Sequence, residues 1–172
     1  MRMQTPEYLQ KTRVTLASLS NGAKGIAETL DLMVRIARQV RTSYIIRKLA
    51  VQIVSDVRQK AWLDEVRAVQ EYVRDHIRYV KDIRNVETIS TPEKTLESGA
   101  GDCDDKSLLA ASLLESIGHP ARFVAVGYSP GSYCHVLVET RIANRWIPVE
   151  TTENVPLGWY PPNMPGRMVR TI

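Results

Sequence analysis

The chain has 172 residues, 44% of them hydrophobic and 24% charged, with 9 glycines, 9 prolines and a formal net charge of +4. That length is close to one domain of about 150 residues and supports a core without disulfide staples, and the composition excludes a disordered, collagenous or low-complexity chain. Two cysteines are too few for a disulfide scaffold, no apolar run reaches the roughly 18 residues of a membrane span, and the opening residues lack the apolar centre of a secretory signal, so a reducing, cytoplasmic setting is expected.

Charge is unevenly placed: residues 1–60 hold 11 Lys and Arg against 4 Asp and Glu, and the remainder carries a net −3. Solvated helix faces account for this simply; a surface for nucleic acid or another anionic partner is the rival reading.

A short β-like stretch, Thr12 to Leu19, runs into the loop Ser20 to Gly25. Ile26, Leu30, Met33, Ala37 and Val40 then recur at helical steps, as do Ile46, Leu49, Ile53 and Val57, predicting two amphipathic helices. Val66, Val69, Val73 and Ile77 share one face of a third, with Asp64, Arg67, Glu71 and Arg74 on the others. Residues 82–98 show no period and read as an ordered surface loop. After Gly99-Ala100-Gly101 and Asp102 comes a helix that is apolar nearly all round through Leu108, Leu109, Leu113, Leu114 and Ile117, ended by Gly118 and Pro120; such a helix belongs in the centre of a domain. Three strands follow as an antiparallel meander, Arg122–Tyr128, Cys134–Thr140 and Arg145–Val149. The tail from Pro156 to Ile172 holds four prolines with Trp159 and Tyr160 among them, which excludes a regular helix or a central strand. Helices followed by sheet describe an α+β domain. Its expected parts are basic helices and a strand over 1–63, a core over 64–155 and a Pro-rich tail over 156–172.

One constellation carries chemistry. With Asp102 as N-cap, Cys103 is the first residue of the buried helix and Asp105 the third, a capping-box-like arrangement. The helix N-terminus favours a thiolate at Cys103, lowering its pKa from about 8.5, while Asp102, Asp104 and Asp105 oppose this, so a base is needed as partner. Of three histidines, His135 opens an apolar strand from which its ring can project toward the helix start. Glu150, at the end of the next strand, is placed to accept from the imidazole and fix its tautomer.

Gly101-Asp102-Cys103-Asp104-Asp105-Lys106-Ser107, Gly118-His119-Pro120-Ala121-Arg122, His135-Val136-Leu137-Val138-Glu139 and Trp146-Ile147-Pro148-Val149-Glu150 together resemble the transglutaminase-like cysteine protease superfamily. The likeness extends to the small transglutaminase-like proteins of bacteriophage and prophage genomes. It covers residues 64–152, since Tyr72-Val73-Arg74-Asp75 and Ile77-Arg78-Tyr79-Val80 are similar to the family's preceding helix and strand. The resemblance implies a papain-like fold, a Cys-His-acid triad of Cys103, His135 and Glu150, acyl transfer through a thioester, and no metal or organic cofactor. Aspartate is usual at the last position, where Glu150 is one methylene longer. The family's oxyanion hole adds an upstream side chain to the nucleophile's own N–H, and no residue here is matched to it.

Other residues receive simpler readings. Cys134 neighbours His135, so alternation points its side chain into the core. His76 and His119 read as surface or capping groups, and Asp104 and Asp105 as helix-start charges. Cysteine and histidine spacing supports no zinc site. Trp146 either shields the acid or packs beneath its strand, Tyr128 and Tyr133 flank a groove, and the tail is placed to cover it. The function expected is a cysteine-dependent acyl-transfer enzyme on peptide or protein amides, foremost a protease or amidase, in the cytoplasm of a bacterial host if phage or prophage encoded. A non-catalytic binding or phage assembly protein of the same fold, and a basic nucleic-acid-binding module, are the rivals.

Overall fold

A computed structural model describes residues 20–81 and 88–172. The expected strand at Thr12 to Leu19 lies outside them. Helices α1 (Gly22–Val40), α2 (Tyr44–Ile53) and α3 (Trp62–His76) lead to a two-residue strand β1 (Arg78–Tyr79), helix α4 (Pro92–Ser98) and strand β2 (Ala100–Gly101). Helix α5 (Cys103–Ser116) and strands β3 (Ala121–Gly127), β4 (His135–Ile142), β5 (Arg145–Val149) and β6 (Gly166–Thr171) complete the order. The main sheet runs β5-β4-β3-β6 with every pair antiparallel, and β1 pairs with β2 in parallel.

Every side chain from Asp104 to Leu114 of α5 is buried. The helix lies between β3 and β4 on one side and α1 to α4 on the other. It can do so because leucine and alanine occupy all faces of its middle, while Asp105, Lys106 and Ser107 near its start are bonded to backbone groups of neighbouring segments. Leu30, Met33 and Ala37 of α1, Ile46 and Ala50 of α2, and Val66, Val69 and Val73 of α3 close one core over it. Some of the basic charge of α1 and α2 is structural. Arg41 pairs with Glu115 at 3.2 Å, and Arg47 donates to the Ser116 carbonyl at 2.6 Å, both at the far end of α5.

Two expectations are corrected, and the tail, expected to form neither a regular helix nor a central strand, adds an edge strand. Helix α1 begins at Gly22, inside the expected loop. The aperiodic segment before Gly99 contains α4, started by Thr91, whose hydroxyl accepts the Lys94 N–H, with Pro92 in the first turn, and stopped by Gly99 in the left-handed region at φ 62°. Seven residues are fewer than two full turns of α-helix, too few to show a period, so the caps carry the signal. The tail ends in β6, beyond the last proline, as an edge strand on β3. On its way there Tyr160 and Met164, with Val169 of β6, cover Val124, Val126 and Leu137. Glu139 on β4 accepts from Arg122 at 2.6 Å and from Arg167 of β6 at 2.9 Å, so the tail is sewn to the sheet by charge as well as apolar contact. The segment is therefore a structural layer of the domain.

Candidate active site

The segment before α5 is folded tightly against it. The Arg78 N–H donates to the Gly99 carbonyl at 2.9 Å and the Val80 N–H to that of Gly101 at 3.0 Å, which fixes β2 beside β1. A Cβ on Gly101 would lie 2.6 Å from the Asp105 Cβ, so only glycine lets β2 pass this close to the helix start. Asp102 Oδ1 accepts the N–H groups of Asp104 at 3.0 Å and Asp105 at 3.2 Å, the expected N-cap. Asp105 Oδ1 accepts the Ser90 N–H at 2.7 Å, so it ties the segment before α4 to the helix start.

Cys103 is the first residue of α5, half-buried. Its Sγ donates to Asp104 Oδ1 at 3.6 Å. One turn on, the Ser107 hydroxyl donates to the Val136 carbonyl at 3.1 Å. The β4–β5 ladder begins only at Val138, so Val136 lies beyond its end, where the start of α5 engages its carbonyl through Ser107. His135 is its neighbour in sequence.

The His135 ring reaches the other way: Nε2 is 2.7 Å from Glu150 Oε2. Glu150 follows β5 and is 1% exposed. Its Oε1 accepts both the N–H and the hydroxyl of Thr152, each at 2.6 Å, and its carbonyl accepts from Gln70 of α3 at 2.9 Å. Both carboxylate oxygens are thereby engaged and the longer side chain spans to the imidazole. Burial pushes the Glu150 carboxyl up, but the His135 bond and charge together with the two Thr152 bonds outweigh it and hold the group below its ordinary value.

Cys103 departs from its expected electrostatics. Burial first, and then the Asp104 carboxylate, push the thiol well above its ordinary range, against the lowering effect of the Val136 hydrogen bond. The helix N-terminus does not win because the site is buried and the first turn brings its own carboxylates. Among the described residues no hydrogen bond joins the thiol to the imidazole. The sequence-predicted residues thus fall into a bonded His135–Glu150 pair and a thiol at the start of the helix that Ser107 ties to the residue after His135.

Cys134 is exposed, not in the core: regular β4 begins after it, so strand alternation does not govern its side chain. His119 is buried and bonded to Glu65 of α3 at 2.7 Å, a tie between elements, whereas His76 stacks on Tyr72 at the end of α3. Trp146 carries the Arg122 guanidinium 4.0 Å over its ring, leaving Thr152 and Gln70 as the groups that support Glu150. Tyr128 is exposed and Tyr133 packs on the core. Ser107, Thr152, Gln70 and the buried Lys106 went unread as site residues in the sequence. The polar Lys106-Ser107 step inside an apolar helix was the available signal.

The model of the transglutaminase-like superfamily matches residues 47–151, more than half of the chain. The chain belongs to the transglutaminase-like superfamily. Solved structures similar to it in shape include a candidate cysteine protease from Cytophaga hutchinsonii, 18% identical with a TM-score of 0.54 over 74% of this chain and 45% of that one. A candidate protease from Parabacteroides distasonis is 12% identical with a TM-score of 0.59, covering 77% and 27%. Calcium-bound LapG of Legionella pneumophila is 13% identical with a TM-score of 0.56, covering 78% and 80%. The chain thus spans less than half the length of the first two. No curated protein matches the sequence. The fold is a papain-like transglutaminase core with helices before it, a buried central helix that begins at the cysteine, and an antiparallel sheet.

Proposed function

We propose that this protein is a cysteine-dependent acyl-transfer enzyme acting on amide bonds of peptides or proteins, foremost as a protease or amidase, with Cys103 as nucleophile, His135 as base and Glu150 as the acid that orients it. The observation that carries the reading is the 2.7 Å bond from His135 Nε2 to a buried carboxylate whose second oxygen is held by Thr152. A carboxylate at Nε2 fixes the proton there and leaves Nδ1 as the basic nitrogen. The transglutaminase-like family and the cysteine protease relatives in shape support the same reaction class.

Because burial and Asp104 keep the Cys103 thiol protonated at rest, the nucleophile forms during attack. The Sγ–H proton passes to His135 Nδ1 as the Sγ–carbon bond forms and the carbonyl electron pair moves to oxygen. Collapse expels the amine, which takes the proton from the imidazolium, and leaves a thioester. Water, activated by the imidazole, or a second amine then releases the acyl group and returns the proton to sulfur. The Cys103 N–H, free of an intrahelical partner at the first helical position, is the backbone donor to the developing oxyanion.

Acetylation of the full chain by 4-nitrophenyl acetate, with the labelled peptide identified by mass spectrometry, tests this without a known substrate. The expected result is an acetyl group on Cys103 that is later lost to water, absent in Cys103→Ala and strongly slowed in His135→Ala, with Cys134 as internal control. The raised thiol also suits a second reading, a non-catalytic transglutaminase-fold binding protein. Labelling of Cys103 no faster than Cys134, and indifferent to His135→Ala, selects that reading.

A further inference from the structure

The far end of α5 carries a second imidazole–carboxylate pair that the acyl-transfer reading does not use. His119, in the turn from α5 to β3, is 7% exposed, and its Nε2 lies 2.7 Å from Glu65 Oε2 of α3. The His119 N–H donates to the Leu114 carbonyl at 3.0 Å. The Arg141 N–H donates to the Pro120 carbonyl at 2.9 Å, which seats Arg141 of β4 beside the His119-Pro120 step. Helix α5, 14 residues long, separates this turn from Cys103, a rise of roughly 20 Å. Glu65, His119 and Arg141 line one cavity of about 440 Å³, a size within the range of about 300–1,000 Å³ usual for small-ligand sites. Ile117, Pro120 and Ile142 give it an apolar wall, and Trp62, at the start of α3, adds a half-exposed indole.

A tie between α3 and the turn needs only the bond itself, and the pair leaves more than that. With the proton on Nε2, held by the carboxylate, His119 Nδ1 is a lone-pair acceptor, and Glu65 Oε1 is a second. Among the described residues neither atom has a partner and neither is sealed from solvent, so both open onto the cavity their residues line. The Arg141 guanidinium lies 5.9 Å from the Trp146 ring centroid and makes no hydrogen bond or ion pair among the described residues. The cavity therefore offers a carboxylate and an imidazole as acceptors, a guanidinium fork as donor, and an aromatic and aliphatic wall. A ligand with only one charge leaves either Arg141 or Glu65 unpaired beside it, whereas a zwitterion satisfies both. We propose that this cavity binds a free α-amino acid with an apolar or aromatic side chain. Arg141 takes the α-carboxylate through its paired N–H donors. Glu65 Oε1 and His119 Nδ1 accept from the α-ammonium, and the side chain lies against Trp62 and Ile117. The inference goes beyond the acyl-transfer reading and does not depend on it.

The test is a saturation-transfer NMR titration of the full chain with L-phenylalanine, N-acetyl-L-phenylalanine and L-phenylalaninamide, at about pH 8, where an imidazole is ordinarily neutral. L-Phenylalanine is expected to bind. The N-acetyl compound, which lacks the ammonium, and the amide, which lacks the carboxylate, should each bind about tenfold more weakly or worse. Arg141→Gln weakens L-phenylalanine by about the same factor and the amide much less, because the amide has no carboxylate for the fork. Trp62→Ala weakens all three. Both side chains are exposed, so thermal melts at the wild-type temperature are expected for each variant, and either one decides if the other does not fold. Absence of L-phenylalanine binding to wild type overturns the proposal. So does binding that ignores Arg141→Gln and Trp62→Ala, which places the ligand elsewhere. Equal affinity of wild type for the three compounds shows an apolar pocket blind to both charges, and likewise overturns the assignment to an α-amino acid.

Discussion

Replacing Glu150 by Gln exchanges one oxygen for a nitrogen and is expected to disable the site by reversing a tautomer. In the native protein Oε1 accepts the Thr152 N–H, a main-chain donor that cannot rotate away, and Oε2 faces His135 Nε2 at 2.7 Å. Glutamine has one acceptor for these two positions. If its oxygen goes to Thr152, its amide nitrogen donates to Nε2 and forces the ring proton onto Nδ1, the nitrogen that must receive the thiol proton. If its oxygen goes to His135, the amide meets the buried Thr152 N–H donor to donor, at about 1–3 kcal/mol. Loss of general-base action is worth about 10²–10⁴ in rate, so Cys103 acetylation in Glu150→Gln falls by that factor near neutral pH. For a domain of this size about 1 kcal/mol moves the melting temperature by roughly 2–4 °C, and the frustrated amide lowers it by a few such steps. The assay is nitrophenolate release resolved to the Cys103 peptide, alongside thermal melts by circular dichroism. The pH dependence has a defined sign. A carboxyl held below its ordinary value stabilises the fold above the unfolded pKa of about 4.3, and that advantage is lost as pH falls through the folded value. The melting gap between wild type and Glu150→Gln therefore narrows below about pH 4.3. Acetylation of Glu150→Gln at the wild-type rate, with the protein folded, refutes the argument that this carboxylate sets the imidazole tautomer.

Asp104→Asn removes the nearest carboxylate from the Cys103 thiol and is expected to speed its iodoacetamide alkylation near pH 8 by about threefold to tenfold, read by peptide mass spectrometry with Cys134 unchanged. Ser107→Ala leaves the buried Val136 carbonyl without its 3.1 Å donor; melting falls by roughly 2–4 °C for a loss of about 1 kcal/mol, and Cys103 acetylation slows as β4 loses its anchor on α5. Deleting residues 156–172 exposes Val124, Val126 and Leu137, each at most 1% exposed in the intact protein. At about 1.5–3 kcal/mol per side chain this takes much of a total stability of about 5–15 kcal/mol. The expected result is loss of the cooperative melt, and a truncated protein that melts normally shows that the tail contributes little.

What was legible in the sequence follows from periodicity and from adjacency. Ile26 to Val40, Val66 to Ile77 and the apolar run after Cys103 are long enough to reveal a helical face, and β3 to β5 are short apolar runs separated by turns that announce themselves. Helix α4 and strand β6 were missed because one is capped within seven residues and the other is reached only after four prolines. The His135–Glu150 pair was readable as two polar residues at the ends of neighbouring apolar strands. Thr152 was not, since a threonine after a strand looks the same whether it is bonded to a carboxylate or to water. The electrostatics of Cys103 misled for a definable reason: a helix start lowers a thiol pKa only when it is solvated or paired, and burial beside Asp104 reverses the balance.

The first turn and a half of α5 does more than present a thiol. Asp102 caps it, Asp105 binds the segment before α4 through the Ser90 N–H, Lys106 binds the end of α3, and Ser107 binds β4 beside His135. Three consecutive side chains, Asp105, Lys106 and Ser107, thus face three different neighbours, and each tie sets the position of one other part of the site. The run Gly101 to Ser107 is consequently a packing requirement as much as a chemical one. A substitution within it moves β1, β4 or the segment before α4 relative to the thiol even when Cys103 itself is untouched. Changes at Ser107 or Lys106 should therefore couple to changes at His135 in double-mutant cycles, as residues sharing one network do. Changes at Ser112, whose hydroxyl bonds among the described residues only to the Leu108 carbonyl of its own helix at 2.7 Å, should add independently.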